Sequence, residues 1–64
     1  MTRDLELWGI ASMLLRQHGD FAPLKVAERI GELATLGESD GIALWQEVAH
    51  RLDAMTVRRR NDRN

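Results

Sequence analysis

Two glycines do most to limit what this chain can become. Gly19 and Gly37 each close a stretch in which apolar residues recur every three or four positions. Glycine enters the left-handed backbone conformation that ends a helix without the steric cost a Cβ would bring. The reading is therefore all-α: helices over about 3–18, 22–36 and 40–56, packed as a three-helix bundle.

Within the first helix, Leu7, Trp8, Ala11, Leu14, Leu15 and His18 share one face, the spacing of a stripe turned toward a core. Thr2 is placed to cap it, and Asp4 and Glu6 stand where negative charge complements the helix dipole. Leu5, Ile10 and Met13 fall off that stripe, so the apolar arc is wider than two short neighbours require. Gly9, in mid-helix, is read either as a point of close approach by another helix or as a glycine with no special role. Asp20 is expected to cap the second helix, with Pro23 in its first turn, where a missing N–H costs little.

In the second helix, Val26, Ala27, Ile30, Leu33 and Ala34 form the inner face, opposite Lys25, Glu28, Arg29 and Glu32. Lys25 with Glu28 and Arg29 with Glu32 stand at i, i+3, the spacing of weak surface ion pairs. Gly31 has the same reading as Gly9. Ser39 is the expected cap of the third helix, which turns Ile42, Trp45, Val48, Ala49, Leu52 and Met55 inward. Trp45 is its expected anchor, and Leu44 lies apart from that stripe.

A chain of 64 residues is in the size range where stability is marginal and a disulfide, a metal or a second subunit usually helps. It has no cysteine, which removes the first aid and thiolate zinc sites with it. A second subunit is left as the expected aid. Leu5, Gly9, Ile10, Met13 and Leu44 are the residues assigned to self-association, in a two-fold dimer.

Charge is unevenly spread. Residues 1–56 carry five basic groups against nine acidic ones, while residues 57–64 carry Arg58, Arg59, Arg60 and Arg63 against Asp62 alone. The division is thus a single helical domain over 1–56 and a basic, disordered tail over 57–64. An acidic body is poorly suited to nucleic acid, since phosphate attraction supplies most non-specific affinity. The tail's arginines could add weak, salt-sensitive binding to an anionic partner; they also suit a helix C-terminus electrostatically. A helix-turn-helix reading of the second and third helices fails on charge, because the would-be recognition helix carries Asp40, Glu47 and Asp53.

Chemistry finds little to work with. His18 and Asp20 make a polar cluster at the first turn, and His50 with Glu47 and Asp53 could join it in a small metal or acid/base site. Helix-end roles account for His18 and Asp20 equally well. Glu47 stands at i, i+4 from Arg51, the orientation of a surface ion pair. Trp8 and Trp45 sit at core-facing positions rather than in an exposed cage. No nucleophile stands out, and no glycine-rich phosphate loop occurs, as Gly37 and Gly41 lack the following Lys-Ser/Thr. No catalytic residue, cofactor or metal is assigned.

The order Leu7-Trp8, His18-Gly19-Asp20, Ala22-Pro23, Val26-Ala27-Glu28-Arg29-Ile30, Leu36-Gly37, Gly41, Trp45 and Ala49-His50-Arg51-Leu52-Asp53 resembles a family of short helical proteins of alphaproteobacteria catalogued as a domain of unknown function. The resemblance covers roughly residues 5–55. Its most specific parts are His-Gly-Asp, Ala-Glu-Arg-Ile and the spacing of Gly37, Gly41 and Trp45. Members usually carry Asp after the glycine at 37, where this chain has Glu38, and Glu is a poor cap. The resemblance implies a self-contained helical unit and brings no reaction, ligand or partner with it.

The functional expectation is a small, non-enzymatic interaction or regulatory protein that self-associates and binds a protein partner. Two alternatives stand beside it: a nucleic-acid-associated regulator acting through Arg58–Arg63, and, more weakly supported, a metal- or small-ligand-binding protein centred on His18 and His50. The polar N-terminal residues show no basic segment followed by an apolar run, and no apolar stretch approaches the ~20 residues of a membrane span, so a cytoplasmic location is expected.

Overall fold

The computed structural model describes residues 3–62, with side chains described through Thr56. Helix α1 spans Arg3–His18, a single turn of 310 helix follows over Gly19–Phe21, α2 spans Ala22–Leu36, and α3 spans Ser39–Asp62. The described chain is all-α. Helical backbone runs unbroken from Arg3 to Leu36, so there are two helical runs, the first bent in the middle, where three separate helices were expected.

The bend has a local cause. Gly19 takes φ +57°, which ends the α-helical ladder as its sequence position foretold, but the chain then winds into a tighter turn instead of opening into a loop. Phe21, not Asp20, occupies the N-cap position of α2, and no side chain caps it. The expected Asp20 cap is therefore absent. The 310 turn joins directly to α2, with the Ala22 N–H donating to the Gly19 carbonyl. Pro23 lies in the first turn of α2, as its lost N–H permits.

At the other junction the chain reverses sharply. Gly37 adopts φ +74°, ψ +25°, its N–H donates to the Ala34 carbonyl at 3.1 Å, and the Glu38 N–H donates to the Leu33 carbonyl at 2.9 Å. These two bonds form the Schellman closure, which satisfies carbonyls that the end of α2 would otherwise leave open. The Glu38 carbonyl then accepts from the Ile42 N–H at 3.0 Å. Ser39 is thus the first residue of α3 rather than its cap. A connection this short lays α2 and α3 side by side in opposite directions. The two helices come close at Gly41, where an added Cβ would lie 3.2 Å from a Leu33 methyl.

The core is small. Leu7, Ala11 and Leu14 from α1, Ala22 and Val26 from α2, and Val48 and Leu52 from α3 form one buried cluster, with Leu33 buried separately against Gly41. Leu7 and Leu52 are its largest fully buried members, each worth roughly 2–3 kcal/mol of apolar burial. Ile10, Leu15, Ile30, Leu44, Trp45, Ala49 and Met55 pack around it, half-buried. Trp45 is therefore a rim residue rather than the anchor of α3, a place taken by Val48 and Leu52. Ala27 and Ala34, expected inside, are exposed.

Helix α3 ends at Asp62 rather than near 56. The backbone of residues 57–62 thus continues the helix where a disordered tail was expected to begin, so 57 marks no change of backbone structure. At 1.5 Å per residue its 24 residues reach about 36 Å, and the molecule measures 41 × 28 × 17 Å. Thr2, the expected cap of α1, lies outside the described residues.

Candidate functional site

The best-connected polar group in the described chain is Arg51. It lies one helical turn after Glu47 on α3, and its Nη1 donates to the Glu47 carbonyl at 3.0 Å and to Glu47 Oε1 at 3.4 Å. Its Nε donates to Asp4 Oδ1 at 3.2 Å, and its Nη2 donates to the same oxygen. Arg3 faces Glu47 at 3.9 Å. The guanidinium carbon also stands 5.8 Å from the centre of the Trp8 ring, within range of a cation–π attraction. Asp4, Glu47 and Trp8, from two distant parts of the sequence, thus meet on one cation.

The Asp4 hydrogen bond holds the Arg51 guanidinium above its ordinary pKa; burial opposes this, and the negative charge of Asp4 and the Glu47 contacts add to the upward shift. A permanently charged arginine donating to two carboxylates has neither a free acceptor nor a titrating proton to offer a substrate. Its chemistry is that of a clasp tying the start of α1 to the middle of α3.

The Glu47–Arg51 pair was legible from its spacing. Asp4 was read only as a partner of the helix dipole, and nothing in a single sequence marks a pairing across 47 positions. Trp8 was expected in the core; it lies at the edge, 37% exposed, with Arg51 over its ring.

The residues expected as a polar site do not come together as one. His18 is half-buried at the end of α1, Asp20 is exposed in the 310 turn, and His50 is exposed on α3. None makes a side-chain hydrogen bond or ion pair among the described residues. No group of three or more His, Asp or Glu side chains suited to a metal ion occurs among those residues either.

The residues assigned to self-association divide in two. Leu5, 67% exposed, and Met13, 44% exposed, share the outer face of α1 with Gly9, around which the chain itself places nothing within 4 Å of an added Cβ. Ile10 and Leu44 instead pack against the core. Both are half-buried there, less open than Leu5 and Met13. Close helix approach within the chain occurs at Gly41 rather than at Gly9 or Gly31. Phe21, Leu24 and Leu36 are exposed as well; the signal for the first two was their position off the Val26–Ile30–Leu33 face. The side chains of Arg58, Arg59 and Arg60, and all of Arg63, lie outside what the structure describes.

The chain matches the family of unknown function DUF6961 over residues 3–60. The chain belongs to that family. The match takes in both helical runs and both glycine junctions. Comparison with curated proteins and with solved structures gave no match. Among the described residues of this DUF6961 member, no helix is long and apolar enough to cross a membrane.

Proposed function

We propose that this DUF6961 protein is a non-enzymatic, cytoplasmic interaction module that pairs with a second copy of itself and presents a further apolar face to a protein partner. The observation that carries the reading is the exposure of Leu5, Trp8, Met13, Phe21, Leu24 and Leu36 around a core of eight buried side chains among the described residues. That is a large share of the apolar side chains of so small a chain left in contact with water.

The surface area supports it. A compact monomer of 7.3 kDa has about 4,200 Å² of accessible surface, and this chain has 4888 Å². Its radius of gyration is 12.3 Å, against about 10.7 Å for a globule of this length. The difference in area, roughly 700 Å², is close to one partner's share of a standard interface.

Sedimentation velocity over a range from low to high micromolar tests the reading. The expected result is a mass rising from 7.3 kDa toward twice that value. A constant monomer mass across the range would refute self-association.

A further inference from the structure

We propose that the second copy docks along α2, the two α2 helices lying antiparallel about a two-fold axis near Ala27 and Glu28. The inference rests on the self-association proposed above and assigns it a face. Leu24, Ala27, Gly31 and Ala34 follow one another at intervals of three, four and three residues, the repeat of a seam between paired helices. All are exposed, and Phe21 stands at the head of the row, 66% exposed.

The row is graded in size. Its first half carries Phe21 and Leu24, the latter 55% exposed; its second half carries Gly31 and Ala34. Among the described residues, nothing outside the local helix backbone comes within 4 Å of a Cβ added at Gly31. An antiparallel copy turned about Ala27 and Glu28 sets Leu24 over Gly31 of the second copy and Phe21 over Ala34 of the second copy. Each large side chain then meets a small one, twice by symmetry, which is the self-complementarity an isologous interface requires.

Charge agrees with the same register. Lys25 and Glu32, each half-exposed and ion-paired within its own helix to Glu28 and Arg29 respectively, lie on one flank of the row on opposite sides of the axis, so in this register Lys25 of one copy falls on the same side as Glu32 of the other. α2 carries two charges of each sign, and two copies meet without net repulsion although the body of the protein is acidic. The outer face of α1 offers less. Its row is only Leu5, Gly9 and Met13, flanked by Glu6, Ser12 and Arg16, and it is left for the protein partner.

The absence of native cysteine makes the test direct. Single-cysteine variants Ala27→Cys and Met13→Cys are oxidised at a concentration where the protein is dimeric, and Gly31→Glu and Leu24→Gln are compared with wild type by sedimentation and far-ultraviolet circular dichroism. The expected result is rapid disulfide-linked dimer for Ala27→Cys only. Dimer affinity should fall at least about tenfold in Gly31→Glu and in Leu24→Gln, with helicity retained. Cross-linking through Met13→Cys in place of Ala27→Cys, or wild-type affinity in both seam variants, would overturn the α2 assignment while leaving self-association intact. A wild-type chain that stays monomeric throughout would remove both. Should Gly31→Glu lose helicity, Leu24→Gln and the two cysteine variants decide the matter.

Discussion

Arg51 and Asp4, 47 positions apart, are joined through two guanidinium nitrogens on one carboxylate oxygen. The contact closes the start of α1 onto α3 at the place where no covalent connection does so, since α1 leads through the bend into α2. Removing either partner should therefore lower thermal stability, and removing both should cost less than the two single losses together, because each single variant strands the other group. A double-mutant cycle of Arg51→Met and Asp4→Asn, followed by thermal unfolding, measures the coupling. Simple additivity would mean that the clasp is incidental.

The same residue fixes a pH dependence. A cation whose pKa is higher in the folded than in the unfolded chain adds stability that is fully present below the unfolded pKa and lost only as pH rises through the folded one. Arg51 is raised from a value already far above neutrality. The melting-temperature gap between wild type and Arg51→Met should thus be level from about pH 7 to about pH 10. A gap that narrows across that range would show that Arg51 is not the group responsible.

Glycines at different backbone conformations should respond oppositely to alanine. Gly19 and Gly37 hold φ +57° and +74°, where a Cβ costs about 1–2 kcal/mol even with open space around it. Gly9 sits in helical backbone within α1, again with open space, and alanine there gains up to about 1 kcal/mol of helix propensity. For a chain of this size the corresponding melting shifts are roughly 4–8 °C per kcal/mol, downward at 19 and 37 and upward at 9. Equal effects at the three positions, measured by thermal melts in dilute solution, would contradict the assigned conformations.

How much of this could be read from one sequence follows from the range of the interactions involved. Gly37 and Gly19 were legible because a helix-ending φ is a property of one residue and its neighbours. The range of α2 and the Glu47–Arg51 pair were legible for the same reason. Asp20 and Ser39 were misplaced as caps because both junctions are tighter than a free helix start: one is a 310 turn, the other a two-residue reversal. Trp8, Trp45, Ile10 and Leu44 were assigned by periodicity alone, which gives a face but not the width of the neighbour covering it. Ile10 and Leu44 pack against the core, whereas Trp8 stays at the rim under Arg51. A resemblance to a family of unknown function was visible in the turn motifs, yet such a family carries no site to transfer. The outer row of α2 was missed because Ala27 and Ala34 fit an inner face equally well until the position of α3 is known.

Gly41 and Leu33 offer the most stringent test of the packing between α2 and α3. A Cβ at position 41 would meet the two Leu33 methyl carbons at 3.2 and 3.3 Å and its branch carbon at 3.7 Å, so Leu33 has to shift by a few tenths of an ångström to admit it. Leu33 is buried but lies at the end of α2, beside the Gly37 turn, and its methyls are the movable end of a flexible side chain. Alanine gains helix propensity of up to about 1 kcal/mol at this position in the first turn of α3, offset by the strain of that shift, and Gly41→Ala should fall within about 1 kcal/mol of wild type. A larger side chain has no such compensation. Gly41→Leu should destabilise by roughly 1–3 kcal/mol through overpacking, and combining it with Leu33→Ala, which empties the space it needs, should recover part of that loss. Denaturant melts of the two single variants and the pair measure the recovery. Were Gly41→Leu as stable as wild type, α2 and α3 would not cross where the structure brings them together.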